Sequence, residues 1–122
     1  MLKGFEDKTE DLSETERLTV LPPIIETLTR CIGRDSAMTN KQIVKELECK
    51  GVATTERRVR KSINYIRITG KITGLIATSA GYFVSKNRDE VNDYIDSLMG
   101  REDAIRQVRE SFQHQLKTLN YG

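Results

Sequence analysis

At 122 residues, the chain is long enough for one compact domain with an extension and too short for two full domains. Charged residues make up 31% and aromatic residues 6%, without tryptophan, so the core has to be small and aliphatic. A net charge of +2 does not in itself point to nucleic acid; the distribution of that charge does.

Residues 1–18 are polar and acidic, with Glu6, Asp7, Glu10, Asp11, Glu14 and Glu16 outweighing Lys3, Lys8 and Arg17. Phe5, Leu12 and Leu18 are too sparse to form an apolar face, so this stretch reads as a mobile acidic arm. Ser13 and Glu16 have the spacing of a capping box and predict one helical turn within it. Such an arm either solubilises the chain or competes with a ligand for basic groups elsewhere.

A domain is expected over 19–86. Pro22-Pro23 predicts the start of a first helix, where a missing N–H is tolerated. Ile24, Ile25, Leu28, Cys31 and Ile32 make its apolar stripe, and Gly33 is placed to end it in a left-handed conformation. Thr39-Asn-Lys-Gln42 is a second capping box, opening a helix that buries Ile43, Val44 and Leu47 and stops at Lys50-Gly51. A short turn carrying Val52 as corner plug leads to Thr54-Thr55, either of which can cap a third helix.

That third helix concentrates the charge. Val59, Ile63 and Ile66 recur at i, i+4 and i+7 on its apolar side. From Thr55 to Lys71 there are six basic residues (Arg57, Arg58, Arg60, Lys61, Arg67 and Lys71) against the single acid Glu56, a local balance of +5. Arg57, Arg60, Lys61, Asn64 and Arg67 fall largely off the apolar stripe and are expected to face outward, as on a helix that enters the DNA major groove. A solvated helix face is the plainer reading of the same charges. Beyond Gly70, Lys71–Ser79 and Tyr82–Ser85 are β-prone and predict a hairpin turning at Ala80-Gly81.

Two short helices joined by a glycine-bearing turn, the second one basic, with a hairpin directly behind it, resemble the winged helix-turn-helix superfamily. The chain is most similar to the small phage, prophage and bacterial-regulator forms, whose recognition helices carry a phrase of the type V-S-x-R-x-V-R-x-x-I-x-x-L-R. Val59, Arg60, Ile63 and Arg67 match it, with Ile66 in place of the leucine. The likeness spans about residues 20–86, and implies a mainly α fold with a small β-hairpin wing. It departs at the wing tip, Thr78-Ser-Ala-Gly81, which has no lysine or arginine to hold phosphate.

From Asn87 a long helix is expected, opened by the capping box Asn87-Arg-Asp-Glu90. Val91, Leu98, Ile105, Phe112 and Leu119 recur every seven residues, and Tyr94 and Val108 occupy the other core position of a heptad. The remaining such positions are Arg101 and Gln115, and Gly100 interrupts the middle. Residues 87–122 therefore read as a dimerisation segment, a coiled coil joined through Tyr94, Leu98, Ile105, Val108, Phe112 and Leu119. The competing reading has the chain bend at Gly100 and fold back.

Nothing suggests catalysis. His114 is the lone histidine, Cys31 and Cys49 lack CxxC spacing, and there is no phosphate-cradling glycine loop. No enzyme activity, metal, cofactor or small-molecule ligand is expected. The absence of a membrane-length apolar run or a signal-peptide core predicts a cytoplasmic protein. The resemblance implies a double-stranded DNA-binding protein, either a transcriptional regulator or a phage-type replication or excision accessory factor, and the heptad seam adds a homodimer. Base edges or groove walls would be met by Arg57, Arg60, Lys61 and Asn64, and phosphates by Arg58, Arg67 and Lys71, with Thr55 at the helix start. The alternative is a winged-helix adaptor for protein partners that does not bind DNA.

Overall fold

The computed structural model describes residues 12–119 and divides the chain into two compact units, residues 1–86 and 87–122. The first unit is helical with one antiparallel two-stranded hairpin; the second is a single long helix.

Residues 1–11 lie outside the described residues, but the expected arm does not extend to residue 18. Ser13 and Glu16 form the predicted capping box: the Ser13 N–H donates to Glu16 Oε1 (2.9 Å) and the Glu16 N–H to Ser13 Oγ (3.1 Å). Winding then continues through a π-helical turn, Glu16–Val20, into helix α1, Leu21–Thr29. The reason for the π turn lies in the spacing of the buried side chains. Leu12, Glu16, Val20, Ile24 and Leu28 are all buried and recur every fourth residue. In an α-helix of 3.6 residues per turn, each such step rotates the stripe by about 40°. One turn of the wider π geometry offsets part of that drift and keeps the stripe on the core. Pro22 and Pro23 fall at the first positions of α1, as expected, although the chain is already wound in the π turn ahead of them.

Gly33 also differs from expectation. Helix α1 ends at Thr29, and Gly33 has φ +86° and ψ 155°, an extended geometry unlike a left-handed cap. Here the chain runs along the hairpin: the Gly33 N–H donates to the Val84 carbonyl (2.9 Å) and the Val84 N–H to that of Cys31 (2.7 Å). After a 3-10 turn at Arg34–Ser36, Met38 and Tyr82 exchange backbone hydrogen bonds of 3.0 and 2.8 Å.

Helix α2, Asn40–Cys49, carries the predicted capping box between Thr39 and Gln42 and buries Ile43 and Leu47. Helix α3, Glu56–Thr69, is capped by the Thr55 hydroxyl and closed by Gly70 at φ +70°. Its buried residues are Val59, Ser62, Ile63 and Ile66, which sets the phase read from the apolar spacing. Val52 packs half-buried against the core, as a corner plug should.

The hairpin is shorter than its β-prone sequence. Strands β1, Leu75–Thr78, and β2, Gly81–Val84, pair in the register Leu75 to Val84 through Thr78 to Gly81, so Ser79-Ala80 is the turn and residues 71–74 are not strand. Gly81 belongs to β2 through its pairing with Thr78, and the 31–38 segment also approaches it closely. A Cβ on Gly81 would lie 2.4 Å from the Met38 carbonyl carbon and oxygen, and φ is +124°. The core lies between the helices and the hairpin, with Ile24, Leu28, Ile43, Leu47, Val59 and Ile66 inaccessible to solvent.

Helix α4, Arg88–Thr118, runs 31 residues without a break, its first N–H groups capped by Asn87 Oδ1 (2.8 Å from Asp89 N, 3.1 Å from Glu90 N). It passes straight through Gly100, so the chain does not fold back there. No residue of α4 is buried. Among the described residues, no helix is long and apolar enough to cross a membrane.

Gly81→Ala is expected to destabilise the first unit by at least about 1–3 kcal/mol, from strain at positive φ together with overlap on Met38. Gly51→Ala is the control, since Gly51 shares the positive φ (+83°) but faces open space and should cost less. Equal shifts in urea midpoint would show that the 31–38 segment does not press on the hairpin. Ile63→Ala should cost about 2–5 kcal/mol, whereas half-buried Asn64→Ala should cost well under that. A reversed order would mean that α3 is rotated from this phase.

Candidate nucleic-acid interface

With Val59, Ser62, Ile63 and Ile66 turned inward, α3 has two flanks and an outer edge. One flank is covered by the π turn. Lys61 Nζ lies 2.9 Å from Glu16 Oε1, and Arg58 Nε lies 3.7 Å from Glu16 Oε2. The Glu16 and Lys61 side chains are only 11% and 19% exposed, so this pair is largely withdrawn from solvent, while Arg58 remains exposed. Beside them, the Arg17 guanidinium lies over the Tyr65 ring, 6.0 Å from its centre.

The structure thus separates the eight candidate positions. Arg57, Arg60 and Arg67 are exposed on α3, and Asn64 is half-buried between Arg60 and Arg67 in the helical progression. Lys61 does not face outward as expected; its ammonium is held by Glu16. Arg58 stays at the surface but leans on the same carboxylate. The Thr55 hydroxyl is used as the cap, accepting from the Arg58 N–H (3.2 Å). Lys71 lies beyond the helix, along an open groove lined with Arg17, Pro22, Ile25 and Tyr65. At the hairpin turn, Thr78 Oγ1 donates to the Gly81 carbonyl (3.0 Å) and accepts from the Ala80 N–H (3.2 Å), and the turn itself presents no cation.

Glu16 and Arg17 were not among the candidates, although both shape this surface. The capping box showed that Ser13 and Glu16 start a helix, but nothing local shows that Glu16 meets a lysine 45 positions away. The Glu16 carboxyl is held below its ordinary range, first by the Ser13 backbone N–H and next by the Lys61 ammonium, with burial acting in the opposite direction.

Elsewhere the chemistry is sparse. Cys31 is buried, its thiol donating to the Thr27 carbonyl (3.4 Å), and burial pushes its pKa up. Cys49 is exposed. Among the described residues, no three His, Cys, Asp or Glu side chains are grouped to hold a metal. Against this geometry, comparisons with protein-family models, curated proteins and solved structures return no match.

A carboxyl whose pKa is lower in the folded than in the unfolded state stabilises the fold above the unfolded value, and that contribution is lost as pH falls through the folded value. Glu16→Gln should therefore cost about 1.5–3 kcal/mol at neutral pH, the scale of a hydrogen bond to a charged group. The gap to the parent chain should close in acid, below the lowered pKa of Glu16. Urea midpoints across pH 2–7 measure it, and a gap independent of pH would remove the charged form of Glu16 from the account.

Proposed function

We propose that the first unit is a winged helix-turn-helix module that binds double-stranded DNA, with the outer face of α3 in the major groove and two copies joined through α4. The observation that carries this reading is the exposed set Arg57, Arg60 and Arg67 on a helix whose opposite side is locked into the core. Arg57, Arg60 and Asn64 are the residues for base edges, where arginine pairs with guanine and asparagine with adenine in two-pronged fashion. Arg67 and Arg58 are suited to phosphate. Lys61 positions the helix through Glu16 and is not a base-reading residue.

The element order supports the winged-helix reading. Helices α1, α2 and α3 precede the hairpin, and the 31–38 segment adds backbone pairing to its second strand. Within the proposed class, the protein acts as a transcriptional regulator or as an accessory factor in replication or excision. A second reading, an adaptor for a protein partner, is favoured by the uncharged hairpin turn.

Duplex binding in the full chain tests the choice. Affinity should fall with salt at a log–log slope of roughly −0.9 for each phosphate neutralised. Arg57→Ala combined with Arg60→Ala should weaken duplex binding at least tenfold with the thermal midpoint nearly unchanged, because both side chains are exposed. Lys61→Met should show the reverse balance, losing stability first. Equal duplex affinity in the double variant and the parent removes DNA from the reading and leaves the adaptor.

A further inference from the structure

Helix α4 presents Ile95, Leu98, Ile105, Val108, Phe112, Leu116 and Leu119 to solvent, each at least 39% exposed. A soluble chain covers an apolar strip of this length. The proposed function assigns the cover to a second copy, and on that reading the helix also carries information about the direction of pairing. We infer that the two copies of α4 run antiparallel, centred near Ile105.

Leaving Val108 aside and counting Leu116 from the flank, the apolar positions along this side of α4 have palindromic spacing. Val91, Tyr94, Leu98, Ile105, Phe112, Leu116 and Leu119 are separated by 3, 4, 7, 7, 4 and 3 residues. Reversing one copy about Ile105 sets Val91 against Leu119, Tyr94 against Leu116 and Leu98 against Phe112, so each of these meets an apolar partner, while Val108 falls level with Glu102. This permits the antiparallel arrangement, and charge selects it.

From Arg88 to Leu98 there are four acids (Asp89, Glu90, Asp93 and Asp96) against one base, a balance of −3. From Arg101 to Thr118 there are four bases (Arg101, Arg106, Arg109 and Lys117) against three acids, a balance of +1. A parallel pair would place the acidic segment against its own copy, whereas reversal about Ile105 places it against residues 112–122, whose single charged side chain is Lys117.

The flanking positions agree. Parallel coiled coils are set by ion pairs between the two positions that flank the seam, one on each copy. On one flank α4 has Glu90, Ser97, Ala104, Ser111 and Thr118; only Glu90 is charged, and the position it would meet in a parallel pair is Ile95, so no such pair forms. On the other flank are Ile95, Glu102, Arg109 and Leu116. Antiparallel pairing brings this flank against itself, which puts Glu102 within one residue of Arg109 of the second copy and Ile95 within one residue of its Leu116. Arg109 donates to Gln113 of its own helix (3.1 Å) and has further N–H groups for Glu102. Arg101 falls level with Arg109 of the second copy, the one repulsive pair, and Glu102 lies beside both.

At 1.5 Å per residue, this arrangement places the two Asn87 ends of the helices roughly 50 Å apart, against about 10 Å in a parallel pair.

Disulfide trapping in the full chain decides the direction. Exposed Cys49 is replaced by Ser, buried Cys31 is left in place, and Ile105→Cys, Leu98→Cys and Phe112→Cys are introduced singly. The expected result is that Ile105→Cys cross-links with itself, Leu98→Cys alone does not, and a mixture of Leu98→Cys and Phe112→Cys yields the mixed dimer. Cross-linking of Leu98→Cys with itself overturns the antiparallel direction and leaves the dimer standing. A dimeric mass by light scattering with no cross-link at any site overturns the α4 seam. A monomeric mass of the parent chain at high micromolar concentration overturns the dimer, and the direction with it.

Discussion

The buried edge of α3 is the constraint on which the first unit depends. Val59, Ile63 and Ile66 are at most 1% exposed, and they tie α3 to α1, α2 and the π turn at once. Since each residue advances about 100° around a helix, holding these three inward leaves little freedom for the rest. Arg57, Arg60 and Arg67 have to project, and Lys61 and Tyr65 have to meet whatever lies beside α1. The charged surface therefore follows from aliphatic packing on the other side of the helix.

The same packing creates an electrostatic demand. Six cations within seventeen residues repel one another, and half-burial of Lys61 adds a desolvation cost. Glu16 meets both. It is itself nearly buried, and it is tolerable there because its carboxylate accepts from the Ser13 N–H and from Lys61. An acid that composition assigns to a solubilising arm thus serves as the counter-ion of the basic helix.

The parts legible in the sequence were those set by near neighbours. The caps at Ser13, Thr39, Thr55 and Asn87 each join groups two or three residues apart, and all four form. The apolar face of α3 followed from period alone. What could not be read depended on distant contacts. Gly33 looked like a helix stop, yet its N–H is bonded to Val84, and the closeness of Met38 is what leaves no room for a side chain at Gly81. Lys61 shares the composition and phase of a surface base until Glu16 is brought against it. Gly100 looked like a break because glycine weakens a helix, but that cost of about 1 kcal/mol is small beside thirty well-formed neighbours. The burial of Ser62 and its unpartnered hydroxyl have no counterpart in the pattern, and the packing offers no account of the latter.

The π turn has a consequence for how this chain tolerates changes in length. A π turn is an α-helix holding one residue more than its hydrogen bonds need. Between Glu16 and Val20 the side chains of residues 17–19 are all exposed, and the apolar one among them is Leu18, at 67%. Deleting that single residue would turn the interval of four between these two buried side chains into three, a spacing an ordinary α-helix presents on one face. Glu16 would still reach the inner surface, and α1 would keep its own contacts from Leu21 onward. A one-residue deletion, which usually rotates everything on one side of it out of place, would here be absorbed as a change in winding. Insertion at the same place has no such outlet, so the segment is elastic toward shortening and stiff toward lengthening.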